Sequence, residues 1–237
     1  MQGRDAKASL AYVAWVRAVL TGLDETNIIT TGRQAMEIYD SKTAPNPRRV
    51  RIFLAEKGIE VPYHEVDIVK AENRSPEFRK KNPLGVLPVL ELDDGTCIAE
   101  SVAICRYFEE THPNPPLMGT DARDRALVEM WQRRMEFEVF IPITQVFRNG
   151  HPFFKGRIPQ VPEWGEVSRK QAEQRLGWLD EVLAEREFIT GSRYSIADIT
   201  ALCGIDFGRV SNIRIQPEQK HLARWYAAVS ARPSAKA

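Results

Sequence analysis

The strongest constraint in the sequence is a change of pattern at the proline-rich stretch Asn114–Gly119. Before it, short runs that alternate apolar and polar residues are interspersed with apolar residues at helical spacing. After it, only the helical spacing recurs. A chain of 237 residues can form two small domains. We therefore predict an N-terminal domain at residues 36–113, a linker at 114–119 and an all-helical C-terminal domain at 120–237.

The predicted N-terminal domain has a specific order of elements. Met36–Asp40 and Tyr63–Ile68 alternate like strands, and the segment between them has the spacing of a helix that Gly58 ends. A short helix, a hairpin around Asp93–Gly95 and a last helix follow. The first crossover is long enough for parallel pairing, whereas the hairpin is antiparallel. The fold class is therefore α/β, a thioredoxin-like domain with a mixed four-stranded sheet, followed by an all-α domain.

Composition and motifs exclude several classes of function. Lys and Arg total 33 against 32 Asp and Glu, so the net charge of +1 gives no reason to expect a nucleic acid or an anionic membrane as partner. The three cysteines form no C-x-x-C pair, which is typical of buried thiols in a reducing compartment. The histidines lack metal-ligand spacing, and no glycine-rich nucleotide motif is present. We expect a cytoplasmic protein with neither metal nor nucleotide.

Residues 1–35 differ from the rest of the chain. They end in a polar, turn-like stretch, TNIITTGRQA, and contain one helical pattern near Lys7–Leu20. A secretory signal is an alternative that Arg17 disfavours, because it interrupts the apolar run. We predict an N-terminal extension that is in part disordered and carries no catalytic residue.

Three segments resemble the glutathione transferase family of the cytosolic type. They are NPLGVLPVLELDDG at residues 82–95, AESVAI at 99–104 and YSIADI at 194–199, and their spacing fits the family from Met36 to the C-terminus. The opening YDSKTAPNPRRVRIFLAEKG is most similar to a subgroup of bacteria and yeast that lacks the usual catalytic Tyr, Ser or Cys. The resemblance implies a homodimer that binds glutathione as co-substrate together with a small electrophile.

The resemblance also implies how glutathione is held. A cis peptide bond before Pro88 would turn the backbone of Leu87 outward, so that it pairs with the tripeptide as an added strand does. Glu100 would take the ammonium group and Ser101 the γ-glutamyl carboxylate, although both also suit a helix N-terminus without any ligand. The candidate glutathione-binding residues are Val86, Leu87, Pro88, Glu100, Ser101 and Arg48. For the arginine, a solvated helix face is the competing interpretation, and Arg49 and Arg51 are alternatives for the glycyl carboxylate.

The catalytic candidates surround the position where the family's usual side chain is absent. That position corresponds to Ala44, whose small size would let the sulfur reach the N-terminus of the first helix and the N–H groups of Asn46 and Arg48. Thr43 and Asn46 could donate hydrogen bonds to the sulfur or serve only as turn residues. In this subgroup a water held by polar side chains is thought to assist. Thr144 matches its hydroxyl group, while the expected imidazole has no clear counterpart and His151 is interpreted as a loop residue.

The predicted function is transfer of the glutathione thiolate to a small apolar electrophile. Phe140, Phe147, Phe153 and Phe154 would line the electrophile pocket between the domains or belong to the core. Two alternatives stay open. One is glutathione-dependent reduction of disulfides or peroxides, and the other is a non-catalytic binding module.

Overall fold

A computed structural model of the protein describes residues 36–237. The predicted N-terminal extension, with its helix near residues 7–20, lies outside the described residues. No helix within residues 36–237 combines the length and the apolar character that crossing a membrane requires.

The N-terminal domain contains the predicted mixed four-stranded sheet. Its strands are β1 (Glu37–Asp40), β2 (Tyr63–Glu65), β3 (Val89–Glu91) and β4 (Cys97–Ala99), in the order β2-β1-β3-β4. The β1–β2 pair is parallel, and the other two pairs are antiparallel. Strand β2 is shorter than the predicted Tyr63–Ile68. Its ladder stops because β1 ends at Asp40, whose carbonyl accepts a last hydrogen bond from the N–H of Val66 at 2.8 Å.

Three helices cover this sheet: α1 (Pro45–Lys57), α2 (Pro76–Lys81) and α3 (Ser101–Thr111). Helix α1 ends at Gly58, which adopts the left-handed conformation (φ 65°), as the sequence predicts. It starts earlier than Arg48, where the apolar spacing begins. The two prolines before Arg48 fit a first helical turn, in which no N–H is needed.

The C-terminal domain is all-helical: α4 (Ala122–Arg134), α5 (Ile141–Gly150), α6 (Pro162–Val182), α7 (Ile196–Gly208) and α8 (Lys220–Ser230). A π-helical segment, Met135–Phe140, joins α4 to α5, whose second residue is Pro142. Proline has no N–H for the carbonyl four residues earlier, and the wider turn accommodates this loss.

Helix α1 holds the two domains together. It packs against α3 on one side and against α7 on the other. The guanidinium of Arg48 donates to Asp206 Oδ2 at 2.6 Å and to the Ala235 carbonyl at 2.9 Å. The carboxylate of Glu56 accepts two hydrogen bonds from Arg232. These contacts position the N-terminus of α1 at the boundary between the domains.

Candidate functional site

The site is assembled at one end of the sheet. In the registers, Val89 lies opposite both Tyr39 and Ala99. The loop that follows β1, the loop that precedes β3 and the turn after β4 therefore emerge at the same end. They carry, respectively, the residues around Ala44, the Leu87–Pro88 pair and the Glu100–Ser101 pair.

The N-terminus of α1 is open. Ala44 is its cap residue and makes no side-chain hydrogen bond, and the first turn contains no acidic residue. Pro45 and Pro47 have no N–H. The N–H of Arg48 is not available, contrary to the sequence prediction, because it closes the first intrahelical bond to the Ala44 carbonyl at 3.3 Å. The N–H of Asn46 is therefore the one helical donor of this turn that faces no partner within residues 36–237.

The predicted side-chain donors differ in whether their donor groups are free to bind a ligand. The hydroxyl of Thr43 and the amide of Asn46 make no hydrogen bond to other described residues, and both line a cleft next to Ala44. Thr144 lines the same cleft, but its hydroxyl donates to the Ile141 carbonyl at 2.9 Å. Thr43 and Asn46 can therefore donate to a sulfur at this place, whereas the proton of Thr144 is already committed.

The loop before β3 presents its backbone to the same cleft. The Leu87–Pro88 peptide bond is cis, as predicted. The N–H and C=O of Leu87 make no hydrogen bond within the described part of the chain. Asn82 and Asn73 hold the loop from behind by donating to the Val86 and Gly85 carbonyls.

The turn after β4 is built around the buried Arg49, which the sequence analysis gives only as an alternative to Arg48. Glu100 is exposed and has φ 68°, an unusual conformation for a residue with a side chain. Ser101 is buried, and its Oγ accepts a 2.7 Å hydrogen bond from Arg49. The side chain of Arg49 is only 1% exposed, lies 4.7 Å from the Phe140 ring centroid and has Nε and Nη2 unpaired. Helical spacing from the buried Ile52 and Phe53 could have identified Arg49.

The other two arginines of α1 lie elsewhere. Arg48 is held by Asp206 and Ala235 of the C-terminal domain and does not line the cleft. Arg51 forms a pair of short hydrogen bonds with Asp40, at 2.6 and 2.7 Å. The structure therefore does not bring Arg48 to the place where the sequence analysis expects a carboxylate of glutathione.

The cleft has an apolar half of about 460 Å³ and a more polar half of about 430 Å³. The two halves share six lining residues, namely Ala44, Asn46, Ile68, Arg148, Phe153 and Phe154. All four phenylalanines named from the sequence line the apolar half, together with Phe207. Ile68 and Val69 close it from the N-terminal domain, whereas Val86 and Leu87 lie in the polar half. The cleft therefore joins the open end of α1 to an aromatic wall.

His151 follows the end of α5 in a loop, as the sequence analysis expects, and it also lines the apolar half of the cleft. Its Nδ1 accepts from the Phe153 N–H at 3.1 Å, so the neutral ring carries its proton on Nε2. Its ring lies 4.5 Å from that of Phe147. The imidazole of His151 therefore lines the same half of the cleft as Thr144, although the resemblance gives no clear counterpart for an imidazole at this chain position.

The three cysteines lie away from this cleft. Burial raises the pKa of Cys203 to about 11, and it also raises the pKa values of Cys97 and Cys105. None of the three lines either half of the cleft. Within residues 36–237, no group of three or more His, Cys, Asp or Glu side chains is arranged to hold a metal ion.

Comparisons with known proteins identify the family to which the chain belongs. A family model of the glutathione S-transferase N-terminal domain matches residues 38–116, and one of the C-terminal domain matches residues 144–233. Glutathione S-transferase 2 of Saccharomyces cerevisiae is 36% identical over 208 residues, which are 86% of this chain and 89% of the yeast protein.

A crystal structure and a longer protein extend the comparison. The structure of a glutathione S-transferase domain-containing protein of Marinobacter aquaeolei is 40% identical, with a TM-score of 0.81 over 84% of this chain and 98% of that one. Elongation factor 1-gamma of Prunus avium is 31% identical over 73% of this chain but only 40% of its own length. With both family models and a full-length relative matched, the chain belongs to the glutathione S-transferase family.

Proposed function

We propose that this protein is a glutathione transferase, which joins the thiolate of glutathione to a small, mostly apolar electrophile. The observation that carries the proposal is the cleft in which the open N-terminus of α1 faces a wall of phenylalanines. One side offers unpaired donors and the positive end of a helix dipole to an anion. The other side offers apolar surface to an organic molecule. A thiolate and a carbon electrophile need these two environments next to each other.

Glutathione would bind along the end of the sheet. The backbone of Leu87 pairs with the central residue of the tripeptide, and Glu100 takes its ammonium group. A serine hydroxyl has one proton and two lone pairs. Because Arg49 occupies a lone pair of Ser101, the hydroxyl proton is free to point at the γ-glutamyl carboxylate. Arg48 has no part in this arrangement, since the C-terminal domain engages it.

The thiol would be activated by the donors beside Ala44. A free cysteine thiol has a pKa of about 8.5 and is only a few per cent ionised at neutral pH. Hydrogen bonds from Thr43 and Asn46 favour the thiolate, and the thiol proton leaves to solvent. The sulfur then forms a bond to the electrophilic carbon, and the leaving group departs with the electron pair. In a conjugate addition, the resulting carbanion takes a proton from water. A water between Thr144 and His151 is the alternative activating group.

The test combines binding with turnover. The purified protein should be retained on immobilised glutathione at neutral pH and should conjugate glutathione to an aromatic halide. Ser101→Ala should weaken glutathione binding by roughly 1–3 kcal/mol, the cost of leaving a charged group without its partner. Ser192→Ala, in an exposed loop, is the matched control. Failure to bind glutathione at all would refute the proposal.

One observation bears on each alternative. Reduction of disulfides through a mixed disulfide with the protein would need a cysteine in the cleft, and none of the three lines it. A non-catalytic module is compatible with the match to part of elongation factor 1-gamma. Parallel assays with an aromatic halide, a small disulfide and a peroxide distinguish the three functions.

We also propose that the protein is a cytoplasmic homodimer. Helices α3 and α4 border a polar crevice, which is lined by Glu100, Val102, Ala103, Arg106, Glu129, Arg133 and Glu136. Leu127 and Phe137 are 44% and 49% exposed. Large apolar side chains at such exposure suit a contact with a second copy. Sedimentation equilibrium should give twice the chain mass, and Phe137→Glu should shift it to the monomer.

A further inference from the structure

The charge of the cleft is one-sided. Its lining includes three arginines, Arg74, Arg148 and Arg157, and no aspartate or glutamate. The chain as a whole has nearly equal numbers of basic and acidic residues. The concentration of positive charge is therefore a local property of the cleft, and it favours a negatively charged occupant.

The aromatic wall is built with fixed ring orientations. Phe147 lies edge-to-face against Phe154 and Phe207, with ring centroids 5.3 and 5.0 Å apart, and is stacked at 6.3 Å on Phe153. Packing of this kind holds each ring in place and fixes where its face is presented. A flat ring system fits such a wall better than a flexible alkyl chain does.

The three arginines differ in what they already bind. The terminal nitrogens of Arg157 donate to the Ile68 and Val69 carbonyls, both at 3.1 Å. Arg74 makes a longer contact, 3.4 Å, to the Leu84 carbonyl. The guanidinium of Arg148 has neither a carboxylate nor a hydrogen-bond acceptor among the described residues. Arg148 is therefore the cation with its full donor capacity available.

Arg148 is also held in a defined position. Its guanidinium carbon lies 5.1 Å from the centroid of the Phe154 ring. A guanidinium above a ring keeps the N–H groups at its edge free, and that edge matches a carboxylate in a two-point hydrogen bond. The residue stands one turn after Thr144 on α5 and borders both halves of the cleft.

We propose that the electrophile of this enzyme is a planar aromatic molecule that carries an anionic group, and that Arg148 determines this specificity by binding the anion. The inference rests on the proposed function and narrows its substrate class. The ring stacks on the phenylalanine wall while the anionic group meets the fork of Arg148. The chemistry stays a substitution, in which a sulfur–carbon bond forms and a halide leaves with its electron pair.

The test uses two matched substrates, a chloronitrobenzoate and its uncharged amide, the corresponding chloronitrobenzamide. Each kcat/KM is divided by the rate constant of the same halide with free glutathione thiolate, because a carboxylate activates the ring less than a carboxamide does. The wild-type protein should have the higher corrected value with the acid. Arg148→Gln should lower the acid-to-amide ratio of kcat/KM about tenfold, as expected for one charge-assisted contact of roughly 1.4 kcal/mol. Arg148→Lys should retain part of the preference. Arg123→Gln removes an equal charge from an exposed site on α4 and should leave the ratio unchanged.

The outcomes separate this inference from the proposed function. Equal corrected kcat/KM for acid and amide, or an unchanged ratio in Arg148→Gln, overturns the inference, while conjugation of the amide still supports a transferase. A loss of glutathione affinity in Arg148→Gln at constant ratio assigns the residue to glutathione and also overturns it. If neither substrate reacts, calorimetry with a nitrobenzoate, which has no leaving group, decides. If the wild-type protein binds the nitrobenzoate and Arg148→Gln binds it more weakly, the inference is supported. If the wild-type protein does not bind it, or both bind it equally, the inference is rejected.

Discussion

Two helix N-termini in this protein differ in whether the chain itself satisfies their backbone N–H groups. At the start of α7, Ser195 and Asp198 form a capping box, and Asp198 is fully buried. Its carboxylate accepts from the Ser195 N–H and hydroxyl, the Ile189 N–H and Trp225 Nε1. At the start of α1, the cap is Ala44, no carboxylate is present and the N–H of Asn46 is unpaired within the described residues.

The difference is that the same backbone feature is closed by the chain's own carboxylate in one domain and left open in the other. An N-terminus whose dipole and donors are satisfied by its own aspartate is closed to any other anion. An N-terminus with a methyl group as its cap leaves donors and dipole for an anion from outside. Substitutions at the two sites should therefore act on different properties, stability at α7 and thiol chemistry at α1.

The largest effect is expected at the closed N-terminus. Asp198→Ala leaves several buried donors without an acceptor, and each such group costs roughly 1–3 kcal/mol. The free energy of unfolding should therefore fall by at least about 3 kcal/mol, as measured by urea denaturation at fixed protein concentration. Asp121→Ala removes the exposed cap of α4 and should cost only about 1 kcal/mol. Equal losses in the two variants would remove the distinction drawn for Asp198.

Such contrasts were only in part predictable from sequence. A short-range signal indicated the end of α1 at Gly58, because the glycine directly follows the last helical turn. Long-range partners were not predictable. Arg48, Arg49 and Arg51 are neighbours on one helix, yet they bind Asp206, Ser101 and Asp40, at sequence separations of 158, 52 and 11. The local sequence pattern does not distinguish the three arginines, because the partner of each one is brought to it only when the chain folds.

The candidate site shows the same limit. Its backbone parts, Ala44 and the Leu87–Pro88 pair, lie within short motifs and were found from them. The contribution of Arg49 depends on a serine from another element, and that of His151 depends on how the loop after α5 folds back over Phe147. Whether a donor is free is likewise a property of the folded chain, as the committed hydroxyl of Thr144 shows.

Closing the open N-terminus is the next most damaging change. In Ala44→Asp, the new carboxylate would accept from the Asn46 N–H and occupy the place of the thiolate. We expect kcat/KM to fall on the order of 100-fold, the loss of one strong charge-assisted interaction. Stability should rise by about 0.5–1 kcal/mol, because aspartate is a better helix cap than alanine. Kinetics and urea unfolding of the same preparation measure both quantities.

In Ala44→Asp, kcat/KM should fall while the free energy of unfolding rises, so a loss of activity cannot be attributed to a loss of stability. Ala44→Gly adds no carboxylate and therefore keeps the N-terminus open, so the rate should stay within about threefold of wild type, although stability should also rise because glycine is a better helix cap than alanine. If Ala44→Asp remained as active as Ala44→Gly, the thiolate would not bind at this helix.

A smaller effect should distinguish the donors beside Ala44. Asn46→Ala removes an unpaired amide, and the pKa of bound glutathione should rise by about one unit, which corresponds to 1.36 kcal/mol. Thr144→Val is the matched control, because its hydroxyl already donates to the Ile141 carbonyl and the pKa should not change. The ultraviolet absorbance of the bound thiolate against pH measures both. A shift in Thr144→Val alone would instead favour a water held by that residue.

The smallest effect concerns the closed N-terminus again, through pH. Burial raises the pKa of Asp198 to about 6, against roughly 3.9 for an aspartate in an unfolded chain. Because the carboxyl group of Asp198 binds a proton more tightly in the folded chain than in the unfolded chain, its contribution to the free energy of unfolding grows as the pH falls towards and below 6. From about pH 7 to about pH 5.5 the gain is about 0.8 kcal/mol. Asp198→Asn cannot titrate, and the difference in unfolding free energy between wild type and this variant should increase by that amount over the interval. A constant difference would mean that the four donors hold the carboxylate ionised, and that the closed N-terminus carries a full negative charge at both pH values.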